Sequence, residues 1–264
     1  MTEIDLYDIF QGQLAAFLLV LSRTSGIFLI SPFFGNMIVS FQFKAAAAIV
    51  IAILLFPVIT QETVVIVPEN MFVFALTVMK ELFIGWTIGF IGFVTMAAIN
   101  MAGKVMDLQI GFAVAQTMDP SIGQQSPLMG AFMYNLSIIY FLVVNGHHMI
   151  LTALMESFRA VPFDSMVWNQ SMADFMINVT AGVFLTGMKI AMPVTFAILI
   201  TNVGMGILAR TMPQMNIFVI GIPMHLMIGM FMLAMVMPFY VLFLDVMFSG
   251  MYEGISTAIK LISP

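Results

Sequence analysis

Apolar runs of helical length, separated by short polar breaks, make up most of the chain. Residues 13–30, 44–59, 71–102, 128–145, 174–201 and 217–248 each read as one apolar span. About 20 such residues in a helix cross the hydrocarbon core of a bilayer. Nothing shows the period-two alternation of a barrel strand, so the spans are expected to be helices. The breaks carry residues that end helices. Ser31-Pro32-Phe33-Phe34-Gly35-Asn36 follows the first span, Pro57 lies near the end of the second, and Glu62, Pro68 and Glu69 fall in the loop 61–70. The third span is long enough to cross with tilt or to project beyond a bilayer. A kink is expected at Pro193 in the fifth, and Pro223 and Pro238 lie inside the sixth. Residues 146–173 read as a loop, 205–216 as a second polar turn, and 1–12 and 250–264 as short amphipathic ends.

One break is unlike the rest. Residues 103–127, GKVMDLQIGFAVAQTMDPSIGQQSP, sit between two of the most apolar runs, yet hold small residues, amides and two acids. Asp119-Pro120 followed by Gly123 is turn chemistry. Hydrocarbon cannot hold such a segment, because its unpaired backbone groups would be too costly there. It must be covered by protein or line a wet cavity. The flanking spans are therefore expected to hold it at the mouth, or within the lumen, of a conduit.

Composition narrows the class. The 264 residues are 62% hydrophobic and 8% charged, with a mean hydropathy of +1.10, where soluble domains have about 25% charged residues. A membrane-associated, polytopic all-α chain is expected, with no room for a soluble domain of useful size. The net charge is −5 without any basic cluster, so nucleic acid is not an expected partner. The absence of cysteine excludes a disulfide framework, a thiolate metal site and a cysteine nucleophile. The acidic start, MTEIDLYDIF, argues against a removable signal peptide. With the N-terminus outward, Lys44, Lys104 and Arg210 fall at cytoplasmic turns and Glu62, Glu69, Asp164 and Asp174 outside, as the positive-inside rule prefers. Arg159 and Lys260 fall on the opposite side from that pattern.

Several ionisable residues lie within spans. Lys80 and Glu81 are adjacent and point about 100° apart on a helix, so they need not pair with each other. They either reach partners on a neighbouring subunit or line a polar path, or they snorkel from the end of a span. Gly85, Gly89 and Gly92 have the small-residue spacing that permits close helix approach. Arg23, Lys189 and Asp245 are single charges, each a candidate for an interhelical bond rather than a proton relay. His147-His148 invites a metal reading, but adjacent histidines diverge on a helix and His225 is far away, so a capping or interfacial role is expected. There is no phosphate loop, zincin motif or nucleophile elbow, and the chain does not read as an enzyme. The 28 methionines suit adaptable packing, with a minority available for a deformable apolar seal.

Other landmarks carry a resemblance. They are Ser31-Pro32-Phe33-Phe34-Gly35, Lys80-Glu81 with Gly85 and Gly89, and Ala102-Gly103-Lys104-Val105-Met106-Asp107. Asp119-Pro120, Asn145-Gly146-His147 and Ala209-Arg210-Thr211-Met212-Pro213-Gln214-Met215-Asn216 follow in order. Over nearly its whole length the chain resembles the FliR family of flagellar export-gate proteins, whose relatives serve injectisome type III secretion. Its departures are a high methionine content and Lys44 where relatives often carry arginine.

The resemblance implies one export-gate subunit over residues 1–264. Residues 1–170 would form a FliP-like part that includes a plug at 103–127, and 171–264 a FliQ-like hairpin. The long apolar helices would be kinked hairpins in a helical hetero-oligomer rather than an ordinary bundle. Implied partners are FliP and FliQ, with FlhB, FlhA and FliO, unfolded flagellar export substrates and membrane lipid. The implied location is the bacterial inner membrane at the flagellar basal body. Implied plug residues are Met106, Gln109, Ile110, Gly111, Phe112, Ala113 and Val114, with Asp119, Pro120 and Gly123 shaping the return of the loop. Arg23, Lys80, Glu81, Lys104, Asp107, Lys189, Arg210, Gln214 and Asn216 are expected at subunit interfaces or as polar groups within the membrane. No catalytic residue, cofactor or metal is expected. A small-solute or proton-coupled transporter and a non-conducting assembly scaffold are the competing readings.

Overall fold

The computed structural model describes residues 6–32, 40–62, 70–112, 127–214 and 216–264, and the regular structure among them is entirely helical. In chain order the helices are α1 (Leu6–Ile30), α2 (Phe41–Glu62), α3 (Met71–Ile110), α4 (Leu128–Val143), α5 (Gly146–Ala160), α6 (Gln170–Thr211) and α7 (Ile217–Ile262). Five of them are long and apolar enough to cross a membrane, and α4 with α5, taken as one broken span, makes six.

Four expectations are corrected. The third span does not stop at residue 102. Lys104 and Asp107 are accommodated on a helix that continues to Ile110, because Ile99, Ala102, Met106 and Ile110 keep a buried stripe at helical spacing. Residues 146–160, read as loop, form α5, whose buried Ile150, Ala153, Leu154, Ser157 and Phe158 define one amphipathic face. The turn at 205–216 is shorter than expected, since α6 runs on to Thr211. The last apolar span and the amphipathic tail are one helix of 46 residues. Pro57, Pro193, Pro223 and Pro238 all lie inside helices that continue past them, as neighbouring groups allow in membrane helices.

The chain divides into two compact units. The first comprises Met1–Val94, Asn145–Asn178 and Ser249–Pro264, and the second Thr95–Val144 and Val179–Phe248. In the first, α1 packs on α3 through glycines. A Cβ on Gly85 would overlap the Arg23 carbonyl oxygen, and one on Gly26 would overlap that of Leu82, so this crossing is closed by backbone. Leu19, Ile27, Ile84, Ile88, Ile255 and Ile259 are buried within the unit. The connection from α5 to α6 is tied to the end of α7: the Val167 N–H donates to the Ile262 carbonyl at 3.1 Å and Asn169 Nδ2 to that of Leu261 at 2.9 Å. Those bonds satisfy carbonyls that a helix end leaves unpaired.

In the second unit, the C-terminal half of α3 packs with α4 and parts of α6 and α7. A Cβ on Gly103 would overlap the backbone of Gly130, and Gly187 leaves room for the Ala98 carbonyl and the Met101 side chain. The Ser137 and Tyr240 hydroxyls share a buried hydrogen bond of 2.6 Å. Outside this core, α6 and α7 present large apolar side chains, among them Phe184, Phe196, Ile207, Phe231 and Leu242.

Candidate functional site

The polar segment 103–127 is described at both of its ends. On the near side, Met106, Asp107 and Ile110 are buried, Gln109 is half-buried, and Lys104 points to the surface. The Ile110 side chain occupies the notch left by Gly229 of α7. α3 ends at Gly111, whose N–H donates to the Asp107 carbonyl at 3.1 Å and whose φ of +96° favours glycine. Phe112 follows, half-buried. Ala113, Val114, Asp119, Pro120 and Gly123 lie outside the described residues.

On the far side, α4 begins after Pro127, a residue that offers no side-chain cap. The first turn of a helix has unpaired N–H groups that a preceding Ser, Thr, Asp or Asn usually accepts from. Here Asp107 of α3 takes that part. Its Oδ1 accepts from the Met129 N–H at 3.0 Å, and its Oδ2 from Met129 at 3.2 Å and from Gly130 at 3.4 Å. The side chain is 3% exposed. The carboxylate also sits favourably at the positive end of the α4 dipole. The chain thus returns to within one hydrogen bond of where it left, and Gly103 against Gly130 makes that approach sterically possible.

A second polar cluster lies in the first unit. Arg23 is fully buried and its Nε donates to Glu81 Oε2 at 2.6 Å. Nη1 donates to the Ser157 carbonyl at 2.7 Å and Nη2 to the Val161 carbonyl at 2.9 Å. These carbonyls end α5, so the guanidinium caps that helix with the charge its dipole favours. Its Cζ lies 4.1 Å from the Phe158 ring centroid, within cation–π range. Beside it Lys80 Nζ pairs with Asp164 at 2.6 Å, with both side chains nearly half exposed. Lys80 and Glu81 therefore have separate partners within this chain.

The other candidates are dispersed. Lys189 is exposed, and in the second unit it joins Met106, Met133, Pro193, Leu233 and Tyr240 around a mainly apolar cavity of about 160 Å³. Arg210, Gln214 and Asn216 are exposed around the turn between α6 and α7. Asp245 accepts from the Tyr140 hydroxyl at 3.3 Å. His147 and His148 meet edge to face, and no cluster of metal-ligating side chains occurs among the described residues.

Sequence reasoning missed Asp164 for Lys80, the α5 carbonyls for Arg23 and the α4 amides for Asp107, and it did not pair Arg23 with Glu81. The α5 carbonyls become available to Arg23 once α5 is recognised, which its buried periodicity permits. The α4 amides had no local signal, because Ser126-Pro127 reads in the sequence as an ordinary helix start and points to no distant cap.

Known proteins share this sequence over most of its length. The family model described as bacterial export proteins, family 1, matches residues 14–251. The chain is 32% identical over 225 residues to the flagellar biosynthetic protein FliR of Bacillus subtilis, covering 84% of this chain and 86% of that protein. It is 31% identical over 210 residues to FliR of Aquifex aeolicus, covering 78% and 79%, and 29% identical over 181 residues to FliR of Escherichia coli, covering 69% of each. A family model that matches residues 14–251, with relatives that share about a third of their residues over most of both chains, shows that the chain belongs to the FliR family of bacterial export proteins.

Proposed function

We propose that the chain is a non-enzymatic core subunit of the flagellar type III protein-export gate, and that residues 103–127 occlude the passage for unfolded flagellar proteins. The observation that carries this reading is the clasp. A polar, glycine-containing segment enters and leaves the protein at one point, fixed by buried hydrogen bonds between apolar helices. A segment with its ends fixed in this way would be compact when the passage is shut and displaced when a substrate enters. Met106, Ile110, Gly111 and Phe112 begin the occluder, Ala113 and Val114 continue it, and Asp119, Pro120 and Gly123 shape its return.

The gate is a hetero-oligomer with FliP and FliQ in the bacterial inner membrane at the flagellar basal body, and FlhB, FlhA and FliO associate with it. Residues 1–170 are its FliP-like part and 171–264 its FliQ-like hairpin. The broad apolar exposure of α6 and α7 supports burial against other subunits and lipid. Lys104, Lys189, Arg210, Gln214 and Asn216 provide polar contacts there, while Arg23, Glu81, Lys80 and Asp107 hold the subunit's own helices.

Deletion of residues 111–123 tests the reading. Ion conductance through the assembled gate should rise well above that of the parent. Unchanged conductance together with unchanged secretion would show that the segment blocks nothing. The chain has no native cysteine, so Phe112→Cys gives a clean trap: a disulfide to a cysteine-bearing substrate stalled in transit is expected for a channel and not for a scaffold.

A further inference from the structure

We infer that Lys189 and the cavity beside it form a docking site for a helix of another gate subunit, one that carries an Asp or Glu among apolar residues and a large apolar side chain one turn from it. The inference rests on the gate-subunit reading and deepens it, since it gives the chemistry of the partner surface.

Three observations carry it. The first is position. Lys189 is exposed at the middle of α6, with Gln170 and Thr211 at the two ends, each about 30 Å away along the axis. Exposed Leu185 and Met188 precede it, and Met192 and Phe196 follow. A lysine stem is too short to snorkel to either end. The second is the lack of a counter-charge. Among the described residues Lys189 has no hydrogen bond and no ion pair. The described acids of its unit are Asp107 and Asp245, and each is engaged elsewhere, with the α4 amides and with the Tyr140 hydroxyl. A cation set among apolar side chains is costly until an anion joins it.

The third is the cavity. Its volume is about 160 Å³, with buried Met106, Met133, Val194 and Leu233 in its lining and exposed Lys189 and Phe239 at its edge. The Tyr240 hydroxyl is spent on Ser137, so Lys189 is the polar group left to meet a visitor. An apolar hole of roughly 150 Å³ stays dry and accepts a group the size of benzene. One leucine, methionine or phenylalanine side chain therefore fills this one. Residues three or four apart on a helix stand about 5–6 Å from each other, so a single helix presents that side chain and a carboxylate for Lys189 together. The other anion of a membrane, a lipid phosphate, stays at the edge of the hydrocarbon layer, whereas Lys189 has exposed apolar side chains on both sides. A carboxylate on a neighbouring helix has no such limit of depth.

The experiment co-expresses the full chain with FliP and FliQ and measures how much of each co-purifies, with the unfolding midpoint of the chain alone as the control for folding. Lys189→Glu should lower the yield of one partner roughly tenfold or more at an unchanged midpoint, because no polar contact inside the chain depends on Lys189. Lys189→Arg should keep most of the yield. Val236→Phe fills the cavity from α7 and leaves the charge in place; it should also lower the yield, with the midpoint unchanged or raised. The decisive step is charge exchange. Each Asp and Glu in the apolar spans of FliP and FliQ is changed to Lys in turn against Lys189→Glu, and one exchange should restore the yield. Parent-level yields for both Lys189→Glu and Val236→Phe overturn the proposal. So does a series in which no exchange restores the yield, or in which Asp119→Lys of this chain restores it, which makes the partner internal. Loss of bound phospholipid by mass spectrometry at unchanged partner yield gives the site to lipid and overturns it too. If the parent chain co-purifies with neither FliP nor FliQ, the gate-subunit reading fails first and the docking site falls with it.

Discussion

Replacing Arg23 by methionine removes a buried charge while keeping most of the side-chain volume. Four acceptors lose the guanidinium: Glu81 Oε2, the Ser157 carbonyl and hydroxyl, and the Val161 carbonyl; the Ser157 carbonyl keeps a second donor, the Val161 N–H at 3.0 Å. These groups belong to the interior of the first unit, and Glu81 is fully buried. Removing one partner of a buried ion pair costs about 3–5 kcal/mol, because the remaining charge is left unsolvated. Glu81→Met alone is expected to cost slightly less, since the guanidinium keeps its two carbonyl acceptors. The double variant is charge-neutral in the core and leaves the Val161 carbonyl without its donor, at about 1–3 kcal/mol, while the Ser157 carbonyl keeps the Val161 N–H. The double-mutant cycle should therefore show the double variant about 2 kcal/mol or more stabler than the sum of the singles, well above the ~0.3–0.5 kcal/mol expected of independent sites. The assay is denaturant unfolding of the detergent-solubilised chain, followed by tryptophan fluorescence; Trp86 and Trp168 both belong to this unit. Additive losses within ~0.5 kcal/mol would refute the reasoning, because they would mean that the two groups do not depend on each other.

Other substitutions separate backbone from side-chain effects. Lys80→Met breaks a pair whose members are 42% and 46% exposed, and should cost at most about 1 kcal/mol, less at high salt, in the same unfolding assay. Gly103→Ala forces a Cβ into the Gly130 backbone and should destabilise by about 1–3 kcal/mol or more. Gly182→Ala meets nothing within 4 Å in α6, and should stabilise the isolated chain by up to about 1 kcal/mol through helix propensity. Gly111→Ala also meets open space but keeps a φ of +96°, so it should cost roughly 1–2 kcal/mol from backbone strain alone. Denaturation midpoints of the three glycine variants check both the signs and the order.

The apolar spans were legible because hydrophobic length is a direct signal, and close approach of a helix to α3 was expected from the spacing of Gly85, Gly89 and Gly92, though not that α1 makes it. The element missed was α5. Its His147-His148 start and its Glu156 and Arg159 lower its mean hydropathy, and a search for uniformly apolar runs passes over it. The spacing of Ile150, Ala153, Leu154, Ser157 and Phe158 nevertheless carries the helical period in full. Arg23 was recognised as a charge wanting an interhelical partner, but the partner depended on that unrecognised helix. Asp107 shows a different limit. Its acceptors lie beyond a segment of irregular sequence, and local pattern says nothing about which amides two helices bring together. The helical continuation to Ile110 was masked by Lys104 and Asp107, one of which faces outward while the other is satisfied inside.

The apolar flanks of α6 and α7 bear on how the cell must manage this chain. From Ile177 to Ile207 the exposed greasy side chains of α6 extend about 45 Å along the axis, and from Val219 to Val246 those of α7 extend about 40 Å. Acyl tails offer a layer only about 30 Å deep. The surplus rows meet either water, at about 25 cal/mol for every square ångström, or a sibling polypeptide. A copy without such cover is then expected to be a sticky, aggregation-prone species.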